Sequence, residues 1–150
     1  MPDTMATSQN VLTGFQFSLE IDGVAQGWFK SCSGLGSESE VITVDVVNKK
    51  GQTIKQKVPG IHTYGDITLE ASLTPDKYLW EWRKQVIAGD YKKFRRNGSI
   101  VVYDSSLTEK ARWNFVNGWP SSWTGAELSA GSTDVVTESV TIAHEGIERV

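Results

Sequence analysis

Hydrophobic and polar residues alternate with period two along most of this chain. Phe15, Phe17, Leu19 and Ile21 fall on one parity and Gln16, Ser18 and Glu20 on the other, the pattern of a strand with one face buried. Asp22-Gly23 supplies two residues that tolerate positive φ, predicting a hairpin whose return strand runs from Val24 to about Phe29. Cys32-Ser33-Gly34-Leu35-Gly36 breaks the pattern and predicts a tight, irregular crossing. From Ser39 to Val47 the alternation resumes, with Ile42, Val44 and Val46 against Thr43 and Asp45. Asn48-Lys49-Lys50-Gly51 turns the chain, and Gln52 to Val58 returns with Ile54 and Val58 opposed to Thr53, Lys55 and Lys57. This hairpin is unusually polar, and Pro59-Gly60 is expected to end it.

Ile67, Leu69, Ala71 and Leu73 predict another strand, after which the period changes. Thr74 is placed to cap a helix opening at Pro75, where a missing amide hydrogen costs nothing. Leu79, Trp82 and Val86 stand at i, i+3 and i+7, with Tyr78 four residues before Trp82, so these four are the expected packing face. Glu81, Arg83 and Lys84 suit the wet side, and Gly89 the stop. Strand patterns return over Ser99 to Tyr103, Lys110 to Val116 and Val135 to Glu145, where Val140, Ile142 and His144 share a face. One helix cannot cover that many strands. The chain is therefore expected to be mainly β, a two-sheet sandwich or barrel-like fold with one flanking helix. Residues 14–150 read as one domain, and 1–13 as a segment that is flexible or ordered by assembly.

Composition narrows the function. With 150 residues, 39% of them hydrophobic, the chain buries a core without disulfide or metal staples. A net charge of -3 gives no polybasic footprint, so nucleic acid is not the default partner. Cys32 is the single cysteine, which excludes an intramolecular disulfide and a thiolate metal cluster, and suits a reducing compartment. No apolar run approaches the length of a membrane span or signal core, so no direct membrane anchor is expected.

Candidate chemistry is thin. Dinucleotide, P-loop, HExxH and EF-hand signatures are absent, and Gly34-Leu35-Gly36 is read as turn geometry. His62 and His144 have no second ligand at metal spacing. Cys32 is read as a packing residue, and the pairs Asp104/Glu109 and Glu38/Glu40 as solvent-face charges. No catalytic, metal or cofactor site is expected. The run Tyr91-Lys92-Lys93-Phe94-Arg95-Arg96 is either a nucleic-acid contact or a basic cap and salt-bridged subunit contact involving Lys92, Lys93, Arg95 and Arg96. Trp119 and Trp123, around Pro120, are either a carbohydrate platform with Asn114, Asn117 and Glu127 nearby, or the packing of a loop near an interface.

Several stretches together carry a resemblance: Phe15-Gln-Phe-Ser-Leu-Glu-Ile-Asp-Gly23, Gly27-Trp-Phe-Lys-Ser-Cys-Ser-Gly-Leu35, Lys57-Val-Pro-Gly60, Trp80-Glu-Trp82, Trp119-Pro-Ser-Ser-Trp123 and Glu138-Ser-Val-Thr-Ile-Ala-His-Glu-Gly-Ile-Glu-Arg-Val150. In their order and spacing they resemble the tail-tube proteins of contractile-tailed bacteriophages and the inner tube proteins of phage-tail-like contractile injection systems. The resemblance implies a non-enzymatic protomer of a homohexameric ring, stacked with copies of itself inside a contractile sheath. Baseplate hub or spike and tube-terminating proteins are the further implied partners, with protein cargo or phage DNA in the lumen. It assigns the hairpin Ile42, Val44, Val46, Asn48, Lys49, Lys50, Gly51, Ile54 and Val58 to contact between rings, although its turn is more basic than the Gly-rich turn of many relatives. It also favours an interface role for Trp119, Pro120 and Trp123 over a carbohydrate-binding β-sandwich module. Assembly in a bacterial or archaeal cytoplasm, then residence in a virion or tail-like particle released by lysis, completes the implied picture.

Overall fold

The computed structural model of the chain describes residues 15–72, 77–125, 130–131 and 136–150. The strands are β1 Gln16–Ile21, β2 Val24–Phe29, β3 Ser31–Ser33, β4 Ser37–Val47, β5 Thr53–Tyr64, β6 Ile67–Ser72, β7 Arg96–Tyr103, β8 Glu109–Thr124, β9 Thr137–Ala143 and β10 Gly146–Arg149. Two helices, α1 Tyr78–Ile87 and α2 Tyr91–Phe94, lie between β6 and β7.

The long strand β8 belongs to two sheets. Its first part, to Gly118, pairs with β7, which pairs with β1 and then β2. From Trp119 to Thr124 it pairs with β9, which leads to β6 and then β3. The strand turns from one sheet into the other at Asn117, whose φ of 50° is unusual for a side-chain-bearing residue. A bulge sits beside it in the β7–β8 register, between Arg96 and Gly98. The Phe115 ring fills the room there, since a Cβ on Gly98 would come within 2.5 Å of its Cζ.

The core lies where the two sheets face each other. Leu19, Ile21, Ile100 and Phe115 from one sheet and Ile67, Leu69, Val140 and Ile142 from the other form a single buried cluster, closed by Trp82 of α1 and Phe94 of α2. The period-two pattern of the sequence is thus the inner face of each sheet. Among the described residues the sheets do not close into a barrel: the hydrogen-bonded path ends at β2 and at β3.

Three expectations need correction. There are two helices rather than one, because Gly89, at φ 76°, ends α1 and lets Asp90 begin a second turn that carries Phe94 into the core. The central hairpin does not stop at Pro59-Gly60 but runs to Tyr64. A bulge absorbs the proline: Ser39 faces His62 and Val41 faces Pro59, so Glu40 stands opposite two residues. Finally, Trp119, Pro120 and Trp123 lie within strand β8, not in a loop. The expectations for segment 1–13, Leu73, Thr74, Pro75, Glu127 and Val135 fall outside the described residues.

Candidate functional site

Among the described residues β4 and β5 pair only with each other, forming a two-stranded ribbon that continues from β3 and β6. Eleven residues at strand rise give β4 a length of about 36 Å. The register sets Ile42 opposite Val58, Val44 opposite Gln56, and Val46 opposite Ile54, so one face is mostly apolar. That face is uncovered: Ile42 is 42%, Val44 39% and Ile54 47% exposed. The other face carries Thr43 opposite Lys57 and Asp45 opposite Lys55. An isolated two-stranded ribbon is marginal in water, and exposed apolar strands invite pairing.

The tip is well defined. Asn48 Oδ1 accepts from the backbone N–H groups of Lys50 and Gln52, both at 2.9 Å, and Gly51 takes φ 75°. This Asx-type closure holds Lys49 and Lys50 at the end of the ribbon, both exposed. At the root, His144 Nε2 donates to the Gly65 carbonyl at 2.9 Å, and its ring lies 6.0 Å from that of Tyr64. Those contacts tie the ribbon to the strand-end region of β9. His62 bonds Ser39 Oγ through Nδ1 at 2.6 Å on the polar side of the root.

The basic run divides into separate roles. Arg96 donates to Tyr78 Oη at 2.7 Å, to Gln85 Oε1 at 3.0 Å and to the Lys93 carbonyl at 3.0 Å, joining β7 to both helices. Arg95 pairs with Glu145 and Lys93 with Asp90, both at 3.7 Å, while Lys92 extends into solvent. Tyr78, Leu79 and Val86 pack against the core around the buried Trp82, whose Nε1 donates to the Phe94 carbonyl at 2.6 Å.

Trp119 and Trp123 of β8 hold the helices. Trp119 stacks on Phe94 and Trp123 lies against Trp80 with centroids 5.0 Å apart, while Arg83 donates to the Pro120 carbonyl at 3.2 Å. A sugar platform needs open ring faces, and each of these rings is engaged by another aromatic. Asp104 and Glu109 take different partners. Asp104 accepts from the N–H groups of Ser106 and Thr108, which hold its carboxyl below the usual range, and Glu109 binds Arg112. Glu38 and Glu40 stand at the ribbon root. Burial pushes the Cys32 thiol up to about 11, which keeps it protonated at neutral pH. No group of three potential metal ligands occurs among the described residues, and no helix there is long and apolar enough to cross a membrane.

Sequence reasoning did not single out the outer face of the β3-β6-β9-β8 sheet. Its register forms two cross-strand rows, Ser31–Glu70–Ser139–Thr124 and Ser33–Thr68–Thr141–Ser122. The signal lay in the polar parity of strands recognised only for their apolar parity.

Residues 13–148 match the T4-like virus tail tube protein gp19 family. The fold is similar to a chain of the PVC sheath-tube complex, from an extracellular contractile injection system in its extended state. That match has a TM-score of 0.72 and 19% identity, over 98% of this chain and 96% of the other. The anti-feeding prophage cap, which terminates the AFP tube, contains a chain matching with a TM-score of 0.68 and 20% identity, over 93% and 91%. Hcp1 from Flavobacterium johnsoniae matches with a TM-score of 0.53 and 17% identity, over 89% and 94%. A comparison with curated proteins finds no match. Nothing in these similarities points to a carbohydrate-binding module.

Proposed function

Because the chain belongs to the T4-like virus tail tube protein gp19 family, we propose that it forms stacked hexameric rings as the inner tube inside a contractile sheath. The tube is a rigid conduit that sheath contraction drives through a target envelope; its work is mechanical rather than catalytic. One observation carries the reading to this chain. A ribbon about 36 Å long, with an uncovered apolar face, leaves the body at one end of a four-stranded sheet, as a connector between rings requires.

The same reading gives the hydroxyl rows a place. Around a closed ring, the β3-β6-β9-β8 sheet of each copy presents Ser33, Thr68, Thr141 and Ser122 as a small, polar, uncharged wall. Such a wall stays wet and offers no aromatic anchor to a passing polymer. Glu70 is its one acid in those rows, and Lys30 pairs with it at 3.3 Å. Sheath, baseplate hub or spike and a tube-terminating protein are the proposed partners, with protein cargo or phage DNA in the lumen. Assembly takes place in the cytoplasm of the producing cell, and lysis releases the particle.

Electron microscopy of particles purified with sheath and baseplate, with this chain tagged at one end, tests the reading. The tag should decorate a continuous internal tube built of six-fold rings. Finding the chain only on a capsid or on the outer sheath overturns it.

A further inference from the structure

The ribbon is electrically polar along its length. Its tip half holds Lys49, Lys50, Lys55 and Lys57 against a single acid, Asp45, which faces Lys55 directly. Its root holds Glu38 and Glu40, with Asp66 just beyond β5, and no lysine or arginine lies between residues 34 and 41 or 58 and 66. None of these charges takes part in an ion pair among the described residues, whereas Lys30, Lys93, Arg95, Lys110 and Arg112 of the body all do. The root also carries a depression of about 370 Å³ lined by Glu38, Ser39, Glu40, Ile61 and Thr63. Two carboxylates beside the apolar Ile61, 71% exposed, suit a lysine, whose stem seeks apolar surface while its ammonium seeks acid.

We propose that the ribbons link rings head to tail, with Lys49 and Lys50 at the tip of one copy seated against Glu38 and Glu40 at the ribbon root of a copy in the adjoining ring. This rests on the tube reading above and names the contact that joins its rings. Reach supports the pairing. At about 36 Å the ribbon is longer than the six- and seven-residue strands β6 and β9, which span about 20–23 Å. In a head-to-tail stack the tip therefore passes along the neighbour's whole sheet and arrives where that neighbour's own ribbon begins. There it meets carboxylates without cations of their own, while the apolar face of Ile42, Val44 and Ile54 is covered along the way. Each exposed pair is individually weak, but the contact repeats around every ring and sets a single polarity for the stack.

Charge exchange tests this in particles produced with the complete sheath, tube and baseplate. The variants are Lys49→Glu with Lys50→Glu, Glu38→Lys with Glu40→Lys, and all four together. Each double reversal is expected to reduce tube-bearing particles at least tenfold, and the fourfold exchange to restore them to within about threefold of wild type. Circular dichroism of the soluble protomer confirms folding, and Lys49→Gln with Lys50→Gln replaces any reversal that does not fold, with an intermediate loss expected. Normal tubes from either double variant overturn the proposal, as does a fourfold exchange that folds yet remains as defective as the doubles. Wild-type particles whose tube lacks this chain would instead defeat the tube reading itself.

Discussion

Trp119 and Phe94 lie stacked, with ring centroids 5.8 Å apart and planes 20° apart. The contact joins the middle of β8 to the second helix, and Phe94 in turn supplies the carbonyl that receives the buried Trp82 Nε1–H. Phe94 is 5% exposed, so Phe94→Ala is expected to cost about 3–5 kcal/mol, and Trp119→Ala, at a half-buried ring, less than that. Urea denaturation of the two single variants and the double variant should show a coupling of about 0.5–1.5 kcal/mol. Strict additivity would mean that the stacking contributes nothing beyond area.

Arg96 is expected to behave as a structural residue despite lying in the most basic stretch of the chain. Its guanidinium serves three acceptors on two helices and lies 5.9 Å from the ring centroids of both Tyr78 and Trp82. A lysine keeps the charge but cannot reproduce that fork, so Arg96→Lys should lower stability by about 1–3 kcal/mol. Lys92→Gln, at an exposed position, should leave the urea midpoint unchanged. Equal effects of the two changes would show that charge rather than geometry matters here.

The Cys32 thiol, half-buried in β3, gives a pH-dependent prediction. Burial raises its pKa from 9.0 to about 11, so at a fixed neutral pH the thiolate fraction falls about a hundredfold. Iodoacetamide should therefore modify the folded protein at least that much more slowly than the urea-unfolded chain. The folded state favours the protonated thiol, so this contribution to stability is complete below pH 9 and is lost as pH rises through about 11. Equal labelling rates in the two states would place Cys32 in open solvent.

Much of this fold was legible because burial and strand geometry share a period. Leu19, Ile21, Ile67, Leu69, Val140 and Ile142 announced the inner faces of two sheets, and Leu79, Trp82 and Val86 the inner side of a helix. What escaped were features that local pattern does not encode. Pro59 reads as a stop, yet the strand continues because a bulge lies beside its pairing with Val41, in a ribbon that has no third strand among the described residues. Trp119-Pro120 reads as a loop, yet the strand continues because Pro120 sits beside a register shift between Pro120 and Ser122. Arg96 was indistinguishable from Arg95 in sequence; only the helix crossing of Tyr78 and Gln85 separates them. The resemblance implies an assembly role for the ribbon, while its charge polarity required knowing which residues form tip and root.

Gly34 is the tightest point at the ribbon root. It takes φ +89°, and a Cβ there would overlap the Asp66 carbonyl oxygen and lie 2.8 Å from its carbon. Gly34→Ala should cost at least about 1–2 kcal/mol from backbone strain alone, with the clash added. Gly36→Ala is the control, because its Cβ would meet nothing within 4 Å. Thermal denaturation of both variants should separate them clearly; comparable melting would mean that the root shifts to admit a side chain.

The uncovered face of the ribbon allows folding and assembly to be tested apart. Val44, 39% exposed, lies opposite Gln56 at the middle of that face, and among the described residues no other strand pairs with β4 or β5. Placing a charge at that position removes little that the protomer buries by itself, so Val44→Asp should change its stability by less than about 0.5 kcal/mol. In an assembled tube the same side chain would lie against a neighbouring copy, where an unpaired carboxylate costs far more than the valine gained. The expected outcome is a soluble protomer with a wild-type circular-dichroism spectrum and melting curve, in particles that lack a tube or carry only a short one. Loss of soluble protein would place the ribbon within the folding core, and normal tubes would show that this face remains uncovered in the stack.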